Sequence, residues 1–144
     1  MYVVTNREVK RQNGETVFTS RFNNKAPDEL RLLEAQRNGD KWHLSIREEP
    51  APNDTTSLLP SEKLFLELQD RMYKKKRNCV FFVHGYNVNF NDALDSAERL
   101  EKLYNVEVIL FSWPSIGGGN DANINAVERI YGTANYLHDK RTAI

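Results

Sequence analysis

The stretch Cys79-Val80-Phe81-Phe82-Val83-His84-Gly85-Tyr86-Asn87 decides the reading of this chain. Its five leading residues are all apolar, too few for a core helix and without the alternation of a half-wet strand. They predict a strand buried on both faces, the kind found in parallel sheets. His84 to Asn87 then read as a turn. Beyond it, Ala93, Leu94, Ala97, Leu100 and Tyr104 recur at helical spacing, and Asp92 and Asp95 suit the N-terminal end of a helix from about Asn91 to Tyr104. Val106-Glu107-Val108-Ile109-Leu110-Phe111 predicts the next buried strand. Strand, turn, helix and strand make a βαβ unit with parallel strands. Ser112 to Asn120, with Gly117-Gly118-Gly119, forms a loop at the carboxyl end of the second strand. A last amphipathic helix carries Ile124, Val127, Tyr131, Ala134 and His138 on one face.

Toward the N-terminus the pattern changes. Ser61 is placed to cap a helix with Leu64, Phe65, Leu68 and Met72 on one face, and Lys74-Lys75-Lys76-Arg77 complements its negative C-terminal end. Phosphate binding by that basic run is the alternative to a solvated helix end. Glu49-Pro50-Ala51-Pro52-Asn53-Asp54 continues neither strand nor helix and reads as a linker. Before it lie Tyr2-Val3-Val4-Thr5, Thr16-Val17-Phe18-Thr19, and two strands around Asn38-Gly39-Asp40, spanning Arg31 to Arg37 and Lys41 to Arg47. That last pair is the clearest hairpin, because Asn-Gly accepts the positive φ of tight turns. Trp42, Leu44 and Ile46 face the core and His43 faces water. The organisation expected is one domain over 1–144: a β-rich part (1–49), a linker (50–60) and an α/β part (61–144).

With 144 residues and 40% hydrophobic content, the chain has enough apolar side chains for a core. Its 20 basic and 20 acidic residues cancel, so the electrostatic footprint of a non-specific nucleic-acid or anionic-membrane binder is missing. No apolar run reaches the length of a membrane span. The single cysteine, Cys79, reads as a reduced, buried thiol. A soluble, cytoplasmic protein without cofactor or metal is expected, with no nucleic-acid and no membrane partner.

In an open α/β sheet, ligands bind beyond the carboxyl ends of the strands. The loops starting at His84 and at Ser112 occupy that position and should lie side by side. Gly85 allows a tight turn and leaves space beside it, so that a following amide, best that of Tyr86, can face a reacting oxygen. The same residues also fit a turn that only begins a helix. Ser112 and Ser115 flank Pro114 and lack the sharp strand-to-helix turn that exposes a serine nucleophile. The triple glycine lacks the following Lys-Ser/Thr and the G-x-G-x-x-G spacing of a phosphate loop.

Val80-Phe81-Phe82-Val83-His84-Gly85-Tyr86-Asn87, a helix, and Leu110-Phe111-Ser112-Trp113-Pro114-Ser115 together resemble an uncharacterised α/β-hydrolase family, a domain of unknown function with HGF/HGYN and FSWPS motifs. Tyr2-Val3-Val4-Thr5-Asn6-Arg7 is similar to the start of that family, while Glu8 to Pro60 matches weakly. The resemblance implies a partial α/β-hydrolase sheet of N-terminal strands, some antiparallel, plus the parallel βαβ unit, with flanking helices. Cys79 to Val83 would be its third strand and Val106 to Phe111 its fourth. His84, Gly85, Tyr86 and Asn87 would form the oxyanion-hole loop, with Ser112, Trp113 and Ser115 in the neighbouring pocket loop. The family's nucleophile, acid and histidine follow that loop, and no G-x-S-x-G occurs here. The expectation is an incomplete catalytic triad and the front part of a serine hydrolase, inactive alone. The alternative is a non-catalytic binding or self-assembly module. The strand at Cys79 would then be an unprotected sheet edge, predicting a homo-oligomer or a complementing C-terminal hydrolase segment.

Overall fold

The computed structural model describes residues 1–23, 30–51, 53–54, 56–85 and 88–115. The chain opens with β1 (Tyr2–Thr5), which runs through the middle of a five-stranded sheet. On one side β1 pairs antiparallel with β4 (Arg31–Asn38), which pairs antiparallel with β5 (Lys41–Ile46). On the other side it pairs parallel with β7 (Glu107–Ser112), and β7 pairs parallel with β6 (Cys79–Val83). The spatial order is therefore β5-β4-β1-β7-β6. This is the partial α/β sheet expected, with an antiparallel N-terminal wing and a parallel βαβ unit.

The strands β2 (Arg7–Gln12) and β3 (Glu15–Phe22) form a separate antiparallel pair. Only the Thr16 to Thr19 portion of it was legible as strand. Asn13 and Gly14 both have positive φ, 53° and 82°, the backbone that a tight two-residue hairpin turn demands. Asn13-Gly14 was thus a second hairpin signal of the same type as Asn38-Gly39. At that later turn Asn38 belongs to the strand and pairs with Lys41, leaving Gly39 and Asp40 as the loop. Gly39 has φ 60° and Asp40 is not among the residues with positive φ, as in a turn that needs glycine at its first central position only.

Two helices cover opposite faces. α1 (Pro60–Lys75) lays Leu64 and Leu68 on Tyr2, with Leu32, Met72, Cys79 and Ile109 around them. It begins one residue before Ser61, with Pro60 in its first turn, and the Glu62 carboxylate accepts the Leu59 N–H at 2.8 Å in place of a serine cap. Phe65 was placed on the core face but is 63% exposed, because the buried stripe runs through Leu64, Leu68 and Met72 and leaves its neighbour outside. Lys76 ends the helix in the left-handed conformation. The basic run beside it is engaged: Lys74 pairs with Asp70, and Lys75 and Arg77 with Glu107.

α2 (Phe90–Tyr104) covers the other face, burying Phe90, Ala93, Leu94 and Ala97 against Val3, Phe18, Leu33, Val108 and Leu110. The Asn89 side chain caps it by accepting the Asp92 N–H at 2.9 Å. Tyr104, expected on the apolar face, is exposed at the last turn. Trp42, Leu44 and Ile46 pack partly against the same core while His43 is exposed.

β6 departs from expectation. Val80, Phe81 and Val83 are exposed, Phe81 by 61%, because β6 ends the sheet and among the described residues pairs only with β7. Cys79 is half-buried rather than buried, and burial together with Glu107 pushes its thiol pKa up. The helix expected at Ile124 to His138 and the triple glycine lie outside the described residues.

Candidate functional site at the carboxyl ends of the parallel strands

Register builds the site. Thr5 pairs with Ser112, and Val83 pairs with Phe111, so that His84 follows level with Ser112. Thr5, Ser112 and His84 thus form one row across the carboxyl ends of β1, β7 and β6. Strand alternation puts them on the face of Val3, Leu110 and Phe82, which α2 covers. All three are buried.

Arg7, the second residue after β1, enters this row from the side. It is only 1% exposed. Its Nε donates to Ser112 Oγ at 3.0 Å, Nη1 to the Thr19 carbonyl at 3.1 Å and Nη2 to the Val88 carbonyl at 3.2 Å. Its guanidinium carbon lies 5.8 Å from the centre of the Phe90 ring. Burial lowers the Arg7 pKa to about 10, which still leaves it charged at neutral pH. Among the described residues its partners are neutral acceptors, with no carboxylate.

His84 is fixed at both ring nitrogens. Nδ1 is 2.8 Å from the Gly85 carbonyl oxygen, and Nε2 is 3.1 Å from the Trp113 carbonyl oxygen, 3.3 Å from Ser112 Oγ and 3.5 Å from Arg7 Nη2. Its ring stacks parallel on Trp113, centroids 5.5 Å apart, and Trp113 Nε1 donates to the His84 carbonyl at 3.0 Å. Burial lowers the imidazole pKa and the Arg7 charge adds to that, against two backbone hydrogen bonds that raise it. The histidine is neutral near pH 7.

Gly85 itself is exposed. It is not among the glycines with positive φ, and a Cβ built on it would meet nothing within 4 Å. The tight-turn argument for glycine therefore fails here, while the expected open space beside the loop is present. Tyr86 and Asn87 lie outside the described residues.

The neighbouring loop is tied down. Thr5 Oγ1 donates to the Ser112 carbonyl at 2.6 Å. Ser115 Oγ donates to the Val88 carbonyl at 2.7 Å and accepts the Val88 N–H at 3.0 Å. Ser112 and Ser115 are both completely buried. Ser112 beside His84 looks like a nucleophile and base, but a hydroxyl sealed from solvent and already accepting from Arg7 is a structural strut. Sequence reasoning brought His84, Ser112, Trp113 and Ser115 together correctly, and missed Arg7 and Thr5. Their signal was available: a charged and a hydroxyl residue at the carboxyl end of a strand whose other residues are apolar.

Among the described residues no group of three His, Cys, Asp or Glu side chains is placed to hold a metal ion, and no helix is long and apolar enough to cross a membrane. A groove of about 860 Å³ runs elsewhere, between β3, the β4–β5 turn and the start of α2, lined by Phe18, Arg37, Trp42, Phe90 and Asp95 among others. Against known proteins, residues 62–140 match the family described as an alpha/beta hydrolase of unknown function (DUF900). No curated protein and no solved structure matches the chain.

Proposed function

This chain belongs to the alpha/beta-hydrolase family of unknown function that its residues 62–140 match, and from that premise we propose that it is the front part of a serine hydrolase of esters, thioesters or amides. It supplies the oxyanion loop His84-Gly85-Tyr86-Asn87, with Ser112, Trp113 and Ser115 beside it. The anchoring of one carbonyl beside open space supports this reading. His84 Nδ1, on a buried ring, holds the Gly85 carbonyl at 2.8 Å, and Gly85 is exposed, with nothing within 4 Å of a Cβ built on it. The donor proposed is the amide of the residue that follows, Tyr86. Such an amide stabilises the negative charge that develops in acyl transfer, and removing one donor costs about 3 kcal/mol of barrier, on the order of a hundredfold in kcat.

The 144 residues hold no G-x-S-x-G, and Ser112 and Ser115 are sealed from substrate. On this proposal the nucleophile, acid and base come from a further hydrolase segment, and this stretch is inactive by itself. A fluorophosphonate probe should leave the chain unlabelled; a serine adduct at Ser112 or Ser115 would overturn that. Joined to a C-terminal hydrolase segment that restores esterase activity, Tyr86→Pro, which deletes the amide, should lower kcat about a hundredfold. Tyr86→Ala keeps the amide and should change kcat little. Equal kcat for the two variants would sink the oxyanion reading.

A second reading, an assembly module, is favoured by the β6 edge. Phe81 and Val83 stand exposed on one face and Val80 on the other, with neither proline nor charge in the strand to deter pairing. Self-association or pairing with the complementing segment follows, and a monodisperse monomer by light scattering at high concentration would count against it.

A further inference from the structure

Resting on the oxyanion loop just proposed, we infer that Arg7 is its positioning residue, a buried cation that sends a one-way chain of hydrogen bonds through Ser112 and His84 to the Gly85 carbonyl. The direction follows from which atoms own protons. Arginine only donates. Arg7 Nε gives its proton to Ser112 Oγ at 3.0 Å, which leaves the serine's own proton for another acceptor. His84 Nε2 lies 3.3 Å from that hydroxyl and 3.5 Å from Arg7 Nη2.

Each ring nitrogen faces a carbonyl, which only accepts, and the nearer one, Gly85 at 2.8 Å from Nδ1 against Trp113 at 3.1 Å from Nε2, takes the single proton of the neutral ring. A second proton on Nε2 would set an imidazolium against a guanidinium with both groups closed off from water, an arrangement that burial and like charge both oppose. Nε2 is therefore bare, and its lone pair receives. The Trp113 carbonyl, 3.1 Å from Nε2, already accepts the Ser115 N–H at 2.8 Å and so is not left without a donor when Nε2 is bare. Which imidazole nitrogen is protonated is set by what faces the other, and here the donors facing Nε2 originate at Arg7.

Arg7 has little freedom to leave. Thr19 and Val88 carbonyls hold its two terminal nitrogens and Phe90 lies under it. Val88 is also on the far side of the 84–88 loop, so one guanidinium grips the loop's exit directly and its entrance through Ser112 and His84. Replacing the cation by a neutral donor would keep some hydrogen bonds but not this divergence from a single rigid fork.

Imidazole nitrogen NMR on the full 144-residue chain tests the assignment. The expected result is a neutral His84 protonated on Nδ1 near pH 7. Ser112→Ala, which removes the middle of the relay at small change in volume, should let the Nε2-protonated form grow roughly tenfold, the factor that one ordinary hydrogen bond supports. Arg7→Lys should shift the balance the same way, because lysine has no Nε to feed Ser112. An Nε2-protonated His84 in the unaltered chain would overturn the relay, and so would an unchanged tautomer balance in folded Ser112→Ala. Should the Arg7 variant fail to fold, Ser112→Ala alone decides. Equal kcat for Tyr86→Pro and Tyr86→Ala would remove the oxyanion loop and leave the tautomer result standing, so the two failures are distinguishable.

Discussion

Two polar clusters tie this molecule together, and they do so by different physics. At the carboxyl ends of β1, β6 and β7, one buried cation is satisfied, among the described residues, by neutral acceptors only, at Thr19, at Ser112 and in the segment from His84 to Val88. Under α1, Tyr2 lies between two guanidinium groups, Arg47 at 5.4 Å and Arg71 at 4.6 Å from its ring centre. Its hydroxyl donates to Glu67 at 2.7 Å, Arg47 makes a two-pronged contact with the same carboxylate, and Arg71 donates to Glu34 at 2.9 Å. The clamp under α1 is redundant, charged and partly wet. The Arg7 hub is sealed and has no spare member. Redundant ion pairs hold an element to a sheet but tolerate loss, since water replaces a missing partner. A lone buried guanidinium imposes direction on what it touches, because away from water its acceptors have few other donors.

The largest effect should come from Arg7→Met. It strips donors from Ser112, Thr19 and Val88 inside the fold, and thermal or urea unfolding should report a loss of about 3 kcal/mol or more. Glu67→Gln keeps a hydrogen-bonding side chain at an edge where Glu67 is 43% exposed, and after solvent screening should cost about 1 kcal/mol or less. Comparable losses for the two variants would erase the distinction drawn between hub and clamp.

Acid should separate the regions next. His84 has a pKa below its ordinary 6.5 because burial disfavours the imidazolium. In the unfolded chain it takes up a proton as the pH drops past 6.5, while the fold resists, so its contribution is present above that pH and lost below it. Glu67 is lowered from 4.5 to about 2, first by Arg47 and then by Tyr2. Its contribution is present above pH 4.5 and disappears between there and about 2. A urea midpoint followed against pH should therefore fall in two stages, and His84→Gln should abolish the upper one. A midpoint level from pH 7 to 5 in the unaltered chain would contradict a neutral buried His84.

Salt should give the smallest effect. The clamp and the surface pair Lys74 to Asp70 face solvent and should weaken slightly as ionic strength rises, within a few tenths of a kcal/mol. The hub should not respond, and an Arg7→Met loss of stability that shrinks markedly in high salt would mean that water reaches the guanidinium.

Much of this architecture was legible in residue patterns. The apolar run at Cys79, the helical spacing from Ala93 and the run ending at Phe111 specify a parallel βαβ unit through local periodicity alone, and Asn38-Gly39 announces its hairpin through the φ that few other residues accept. Asn13-Gly14 carries the same signal, but Arg7 to Gln12 before it is too polar to resemble a strand. Its last three residues, Lys10, Arg11 and Gln12, are all exposed. The edge position of β6 was expected from the family resemblance, but the exposure of Phe81 and Val83 on its face was not, since the apolar run by itself predicts burial on both faces.

What the amino-acid order determined by itself is the set of elements and the closeness of the His84 and Ser112 loops, because one βαβ connection is enough to bring two successive strand ends together. What only the tertiary structure decided is the row Thr5, Ser112 and His84 and the cation that closes it. Thr5 and Ser112 are 107 positions apart, and their pairing depends on β1 inserting between β4 and β7, a choice of neighbour that no local preference encodes. Position just beyond an apolar strand marks Arg7 as a candidate in sequence, but its burial is decided by the fold, because an arginine is buried only where separate segments converge to supply acceptors.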